Sequence, residues 1–287
     1  MRLTLTALLL GAALTAGTAT AQEIEWQQTL NLPKGMNLPA GIALDILGLA
    51  PGDSYDEAKA KLLAIAPPDA LEVPNLTFEQ RMSGNISEPP FQELSTTMYV
   101  DLGSRSRIDI TYPSRMLLDR QRATQGRISE RIQVDMSAPS SGSQVILVER
   151  SIAYRDEPDQ PRISEVVRGL TEKIGLPPTE IPSGSSRYFR WQFDGGKQVA
   201  GGDLYTCQGG VAADLNASQI EAVNRDGTCD VLLMLEARIG ISDDHAERLR
   251  FYVSDNERGK QNIASDYDFF DAYVAKVQSG GGAAPTL

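Results

Sequence analysis

Hydrophobic and polar residues alternate with a period of two over much of this chain, a pattern typical of strands with one buried face. Residues 145–152 are apolar on both faces, which predicts a central strand that is covered on both sides. The positions that form the alternating apolar faces are Thr96, Met98, Val100 and Leu102; Ile108, Ile110 and Tyr112; Ile128, Ile132, Val134 and Met136; Phe189, Trp191 and Phe193; Val231, Leu233, Leu235, Ala237 and Ile239; and Leu249, Phe251 and Val253.

Three segments show a helical spacing of their apolar residues instead. Before the first of them, Ser54 and Glu57 have the spacing of a capping box, which satisfies backbone N–H groups at a helix start. After the second, Gly175 is expected to be the left-handed residue that ends the helix. The predicted helices cover residues 55–65, 161–174 and 267–277.

Proline and glycine residues predict where regular structure ends. Pro113 is expected to stop a strand, which leaves residues 114–126 as a short helix or a loop. The glycine-rich residues 195–202 are expected to form a long hairpin loop. Residues 22–44 place apolar side chains between prolines and glycines, so we expect an irregular arm that packs across the domain.

The elements follow the order helix, strands, helix, strands, helix. This order predicts an α+β fold of antiparallel sheets with helices packed on one face. We expect two similar helix-plus-sheet halves, at residues 22–157 and 158–278, that resemble each other in pattern rather than residue by residue. Residues 279–287 are predicted to be a disordered tail.

Residues 1–21 have the features of a signal peptide. Arg2 is a short basic region, residues 3–14 are apolar, and Ala19 and Ala21 form an A-x-A cleavage site. The apolar run is too short for a stable membrane span and no later run is long enough, so no transmembrane anchor is expected. We therefore expect an exported protein, either periplasmic or secreted.

Composition narrows the range of partners. The chain of 287 residues has a net charge of −11 and a pI of about 4.7, which argues against nucleic acid as a partner. Its cations are 20 Arg and 7 Lys, and Arg is the residue whose planar fork binds carboxylates. The partner that we expect is an acidic protein of the cell envelope.

The chain has two cysteines, Cys207 and Cys229, which are expected to form a disulfide in an oxidising compartment. The loop of about 20 residues that they close would contribute roughly 3 kcal/mol in the chain-entropy model. The alternative is that one of them is a reactive thiol, for which His245 is the only imidazole partner in the sequence.

Sequence motifs for catalysis and cofactor binding are missing. No G-x-S-x-G motif and no phosphate-binding glycine loop is present, and His245 follows two aspartates in a predicted loop. Residues 224–230 alternate oxygen-bearing side chains as a calcium loop does, but the glycine is misplaced and the closing glutamate is absent. An Asp-Gly turn explains them better, and we expect neither a metal nor a cofactor.

Arginine and tyrosine residues occupy the polar positions of several predicted strands. If the helices cover the apolar faces, these side chains line the open faces, and both residue types are enriched in protein interfaces. The other interpretation is an exposed sheet with cross-strand pairs, for which Asp109, Asp135 and Glu236 supply carboxylates. The candidate partner-binding residues are Arg105, Arg107, Arg127, Arg131, Tyr188, Arg190, Arg250 and Tyr252.

Two short stretches resemble a known fold family. Gly48, Gly52 and Ser54 match a G-x-x-x-G-M-[ST] turn in which Asp53 replaces the Met, and residues 170–177 match an L-x-x-K-x-G-x-P helix end. The matching positions of the second stretch are Leu170, Lys173, Gly175 and Pro177. Both stretches resemble repeats of the β-lactamase-inhibitor-protein-like fold, which a family of small outer-membrane assembly lipoproteins shares. The resemblance implies a helix-on-sheet fold whose members mostly bind other proteins, and it implies no catalytic residues.

The chain also resembles exported proteins of Gram-negative bacteria. Together these features predict an exported, non-enzymatic binding protein that uses an Arg- and Tyr-rich sheet face. One alternative is an exported hydrolase of unrecognised type, which needs a pocket with converging acids or with His245. Another is a small-molecule or lipid carrier, which needs an apolar cavity between helix and sheet.

Overall fold

A computed structural model describes residues 24–66, 91–101, 107–121, 127–200 and 229–279 of the chain. Within those ranges it contains three helices and one nine-stranded sheet, and none of the helices has the length and apolarity of a membrane span. The helices are α1 (Tyr55–Ile65), α2 (Ile163–Ile174) and α3 (Asn256–Gln278). The strands are β1 (Phe91–Asp101), β2 (Arg107–Gln121), β3 (Ile128–Met136), β4 (Val145–Tyr154), β5 (Thr179–Ser183), β6 (Ser186–Asp194), β7 (Lys197–Val199), β8 (Val231–Ile239) and β9 (Ala246–Asp255).

All strand pairs are antiparallel, and the sheet combines two meanders. Strands β1 to β4 are neighbours in chain order, and β5, β6, β8 and β9 form a second series, with β7 paired to the end of β6. The series join where β4 pairs with β9, so the sheet continues across residues 156–160. An α+β fold with a large antiparallel sheet is confirmed, whereas the division into two similar halves is not.

One row of side chains shows how the core crosses the sheet. Its members are Met116, Val134, Val148, Val253, Leu233 and Trp191, each directly opposite the next and all buried. Leu62 of α1 and Ile163 and Ile174 of α2 belong to the same core. Burying an apolar side chain of this size contributes about 1.5–3 kcal/mol, so this side, which we call the helix face, supplies most of the apolar burial.

Helix α3 packs against the start of β2, in a separate apolar cluster. Ile110 and Tyr112 pack there with Phe270 of α3. Tyr112 lies opposite Thr96, whereas Met116 lies opposite Glu93, so the bulge between Leu94 and Ser95 places Tyr112 on the face opposite to Met116. The arm before α1 completes this cluster, because the Trp26 ring stacks on Phe269 with centroids 5.4 Å apart. The prediction that the helices pack on one face of the sheet is therefore not confirmed, because α1 and α2 share one core cluster and α3 packs in another.

Helix α1 begins and ends where its sequence predicts. The Ser54 side chain accepts a hydrogen bond from the Glu57 N–H, and the Glu57 carboxylate accepts one from the Ser54 N–H at 3.0 Å. A side-chain bond from Lys34, together with the bonds from Ser54, lowers the pKa of Glu57 to about 2. The predicted capping box is therefore confirmed.

Helix α2 starts at Ile163 rather than at residue 161, and its cap comes from a distant turn. The N–H and hydroxyl of Ser164 donate to the Asp244 carboxylate at 2.9 and 2.8 Å. These two bonds lower the pKa of Asp244. Gly175 ends the helix with φ 79°, as predicted.

The last helix is longer than predicted, since α3 starts at Asn256 rather than at residue 267. Asp255 caps it by accepting the Arg258 N–H at 2.9 Å. The first turns of α3 bury polar side chains, so the apolar spacing that reveals a helix is missing there. The buried residues of α3 are Asn256, Arg258, Gly259, Asn262, Ile263, Asp266 and Phe270.

Arg258 is the centre of a buried polar network that holds the N-terminal arm. Its guanidinium donates to the carbonyls of Pro33 and Gly35 at 2.8 Å. It also donates to Gln144 at 2.8 Å and pairs with Asp255 at 3.3 Å. The described part of the arm contains neither helix nor strand, and these bonds explain how an irregular segment keeps a fixed position.

Strand β2 does not stop at Pro113, contrary to the prediction, but continues to Gln121. Pro113 lies opposite Ser95 beside a β-bulge, and β2 pairs with β3 only from Arg115 onward. A bulge outside the doubly paired part of a strand tolerates a residue without an N–H. The rest of the predicted helix or loop, residues 122–126, lies outside the described residues.

The turn after β6 is tighter than predicted. Gly195 and Gly196 have φ of 53° and 73°, and β7 follows at once and pairs back to β6. Both residues occupy the left-handed region that glycine enters without steric cost. Residues 201–202 of the predicted loop lie outside the described residues.

Replacing Glu57 with Gln tests the capping box of α1, because Gln keeps the hydrogen-bonding shape but not the charge. The folded-state pKa of Glu57 lies below its ordinary 4.5. The charge therefore stabilises the fold above about pH 5, and this contribution is lost as the pH falls through about 2. We expect Glu57→Gln to lower the free energy of unfolding at pH 7 and to match the wild type near pH 2, as measured by urea denaturation.

Lys34→Met provides the control, because the Lys34 bond is the largest cause of the low pKa of Glu57. In that background the pH-dependent part of the Glu57→Gln effect should shrink. A Glu57→Gln effect of equal size at pH 7 and pH 2 would contradict this account.

Candidate functional site: the open face of the sheet

Side chains on the side of the sheet away from α1 and α2 form a polar surface, which we call the open face. One row crosses it from β2 to β6, with each member directly opposite the next. The members of this row are Asp119, Arg131, Ser151, Arg250, Glu236 and Tyr188, and all are exposed or half-buried. The alternation of each strand therefore places a buried apolar row on one face and an accessible polar row on the other.

Arginine–carboxylate pairs connect neighbouring strands on the open face. Arg131 donates to the two oxygens of Asp119 at 2.7 and 2.9 Å. Arg250 donates to Glu149 at 2.7 Å and lies 3.8 Å from Glu236, and the bond to Glu149 raises the pKa of Arg250. Exposed pairs of this kind contribute about 0–1 kcal/mol each, so they align the strands more than they hold the sheet together.

The carboxylates that the sequence predicts for such pairs are Asp109, Asp135 and Glu236. Glu236 contacts Arg250, and Asp135 accepts a bond from Arg115 at 2.5 Å. The Asp109 side chain lies outside the described part of the structure. Cross-strand ion pairs therefore exist on the open face.

A cavity of about 420 Å³ opens in this face where β4, β9 and β8 meet the start of β6. Its lining residues carry charges or hydroxyls and are Glu149, Ser151, Ser185, Ser186, Glu236, Arg238, Arg248 and Arg250. Strands of both meanders contribute to it, so the cavity lies over the junction of β4 with β9.

Three of the predicted partner-binding residues, Arg131, Tyr188 and Arg250, lie together in the open-face row. The Tyr188 hydroxyl donates to Glu236 at 3.3 Å. Burial, followed by the Glu236 charge, raises the pKa of Tyr188. The hydroxyl therefore stays protonated and acts as a donor at neutral pH.

Three other predicted residues either lie outside that row or have side chains outside the described part of the structure. Arg105 lies outside the described residues, and Arg107 begins β2 where the structure describes the backbone alone. Arg127 precedes β3, and its guanidinium lies 3.7 Å from the carboxylates of both Asp156 and Asp159. The first meander thus contributes Arg131 to the described open-face row, but not these three.

The prediction that Arg190 and Tyr252 line an open face is wrong, because they are only 2% and 5% exposed. Both lie opposite Met234 in the next row, and Tyr252 packs with Leu147 in a separate apolar cluster. Burial raises the pKa of Tyr252. The Arg190 guanidinium donates to Gln192 at 2.8 and 3.0 Å when that amide is oriented to accept. Alternation thus predicts the side on which a residue lies, but not whether that side is covered.

Sequence reasoning missed Arg238 and Arg248, two of the three arginines in the cavity. They lie directly opposite each other on β8 and β9. The short turn at residues 240–245 was the available signal, since a tight hairpin brings together the residues on either side of it.

The single histidine lies in that same turn. His245 Nδ1 is 2.7 Å from the Ser242 hydroxyl. The neighbouring Asp244 carboxylate caps α2 instead, so it is not available to orient the imidazole as the third member of a triad. This geometry gives little support to nucleophilic catalysis.

Metal binding finds no support in the described ranges, where no group of three His, Cys, Asp or Glu residues is placed to hold an ion. Most of the calcium-like stretch at residues 224–230 lies outside them. Its last residue, Asp230, accepts the Gly195 N–H at 2.8 Å and so serves the β6–β7 turn.

Comparison with family models, with curated proteins and with solved structures finds no match to this chain. The predicted resemblance to the β-lactamase-inhibitor-protein-like fold therefore stays a prediction.

Proposed function

We propose that this chain is an exported, non-enzymatic binding protein that contacts another protein through the open face of its sheet. The observation that carries the proposal is the open-face row from Asp119 to Tyr188, which is accessible across six strands while α1 and α2 pack on the opposite face. A broad, rigid and polar surface suits another protein better than it suits a small molecule.

The chemistry of the cavity also favours a protein partner over a lipid or another apolar ligand. Its lining is made of carboxylates, guanidinium groups and serine hydroxyls. The apolar side chains between helix and sheet are packed into a continuous core instead. A carrier would need an apolar cavity in that layer. A hydrolase would need a pocket with converging acids or with His245, and the two glutamates of this cavity, Glu149 and Glu236, both lie beside Arg250.

We infer that the partner is acidic. Arg250 uses part of its donor set on Glu149. A guanidinium has five N–H donors in a fixed fork, so Arg250 keeps donors for a further carboxylate. An acidic protein of the cell envelope fits this surface and the predicted export.

Export itself rests on the sequence, because the predicted signal peptide lies outside the described residues. In this proposal the chain is cleaved after Ala21 and acts in the periplasm or outside the cell. Two similar halves, each a helix followed by a meander, would explain why both contribute strands to the cavity. Cys229 is buried in the apolar cluster beside Leu232, and Cys207, its proposed partner, lies outside the described residues.

Site-specific photo-crosslinking in the native envelope tests the sheet-face proposal. A photoreactive residue at Ser151, in the centre of the open face, should give a discrete crosslinked adduct, because the partner covers that position. The same residue at Glu172, on the exposed side of α2, should give none. Adducts are detected by immunoblotting and identified by mass spectrometry.

Charge reversal makes the test specific. Arg131→Glu with Arg250→Glu should reduce the Ser151 adduct at least about tenfold, because two charge-assisted contacts are lost. Arg168→Glu on α2 is the matched control and should leave the adduct unchanged. Adducts from Glu172 and none from Ser151, or adducts that the double reversal leaves intact, would refute the proposal.

The disulfide has a separate test. Protein denatured without reductant should not react with a thiol reagent, because Cys207 and Cys229 are paired. Reduction should cost roughly 3 kcal/mol of unfolding free energy in the chain-entropy model. Labelling of both thiols before reduction would contradict the bridge.

A further inference from the structure

Two arginines face each other across β8 and β9 inside the cavity. Arg238 and Arg248 are direct cross-strand partners, so their side chains leave the sheet on the same face. Like charges in this arrangement destabilise a sheet.

The row that contains them offers no internal counter-charge. From β3 to β6 this row reads Ser129, Ala153, Arg248, Arg238 and Ser186. The neighbouring row places Glu236 directly opposite Arg250, so the Arg238–Arg248 row differs from it in having no carboxylate. Ala153, on the other side of Arg248, has only a methyl group and so supplies no counter-charge.

The two guanidinium groups differ in their contacts. Arg238 uses its Nε on Glu247, at 2.5 Å. Arg248 is exposed and makes no ion pair or hydrogen bond within the described part of the chain. Its donors are therefore available to a ligand, together with the remaining donors of Arg238.

The charge around this pair selects one kind of anion. The cavity is lined by three arginines and two glutamates. Both glutamates lie beside Arg250, and Glu247, outside the lining, pairs with Arg238, so Arg248 is the cation of the lining that no described carboxylate neutralises. One incoming carboxylate neutralises it. A phosphate dianion would bring a second negative charge towards Glu149 and Glu236, which disfavours it.

We propose that Arg248 and Arg238 together bind the carboxylate of a Glu or Asp side chain that the protein partner inserts into the cavity. This inference rests on the proposed function, and it assigns the partner's contact residue and the two side chains that recognise it. The Arg248 fork receives the carboxylate, Arg238 closes the other side, and the Ser186 hydroxyl lies beside them. The repulsion between the two arginines is relieved when the carboxylate arrives.

The first experiment uses the free mature protein and needs no partner. The side-chain Nε–Hε NMR signal of Arg248 is followed while N-acetylglutamate α-methylamide, N-acetylglutamine α-methylamide or inorganic phosphate is added, so that the first two compounds differ only in the side-chain carboxylate. We expect a saturable shift with the glutamate compound and a shift at least about fivefold smaller with the other two. An equal response to the glutamine compound, or a stronger one to phosphate, would overturn the carboxylate assignment.

The second experiment measures the partner. Arg248→Met should reduce the photo-crosslinked adduct at Ser151 about tenfold or more, and Arg248→Lys should reduce it less, because Lys keeps the charge but loses the fork. Arg168→Met, at an exposed position of α2, is the control. Arg248→Met should unfold at the same temperature as the wild type or a higher one, since it removes a like-charge contact.

The outcomes separate the two proposals. If Ser151 gives an adduct that Arg248→Met leaves at full strength, the carboxylate site is refuted and the sheet-face function stands. If Ser151 gives no adduct, the sheet-face function is refuted, and with it the assignment of a partner carboxylate. A normal adduct at Ser151 that is lost in Arg248→Met, together with the glutamate-specific NMR shift, supports both.

Discussion

The pairing of β4 with β9 is the interaction on which the rest of this structure depends. It runs from Leu147 opposite Ser254 to Ala153 opposite Arg248 and joins two meanders into one sheet. Both faces are continuous across this junction: the apolar row passes through it on one side and the charged row on the other. The cavity lies over the junction, with lining residues from β4 and from β9, so neither meander builds it alone.

The two faces contribute very differently to stability, and this difference leaves one of them available for function. Buried side chains of the helix face contribute about 1.5–3 kcal/mol each, whereas exposed ion pairs of the open face contribute about 0–1 kcal/mol each. The arginines of the open face are therefore not required to hold the sheet together. Arg238 and Arg248 lie directly opposite each other, and like charges in this arrangement do not stabilise a sheet.

Much of the fold could be predicted because its signals are local. The capping box at Ser54, the glycine that ends α2 and the alternating strands each depend on a few neighbouring residues. The start of α3 could not be predicted, because Arg258 is buried by contacts with the distant Pro33 and Gln144. The path of β2 beyond Pro113 depends on a bulge opposite Ser95, which is also a contact between distant residues.

Sequence patterns predict the kind of candidate site, a polar sheet face, but not which residues form it. Strand alternation places Arg131 and Arg250 on the face away from α1 and α2. It could not show that Arg190 is buried beside the apolar cluster, since coverage of a face depends on the whole fold. It also could not show that Arg238 and Arg248 meet, because the register of β8 against β9 is set by the turn between them.

Native-state hydrogen exchange of the β4 and β9 amides tests most directly whether one continuous sheet underlies this account. We expect the paired amides of both strands to exchange with the same free energy, equal to that of global unfolding, and with the same dependence on denaturant. The opposite result is an opening in which residues 91–154 exchange while residues 179–255 stay protected. That result would contradict the account of one continuous sheet, because the two meanders would then be separate units.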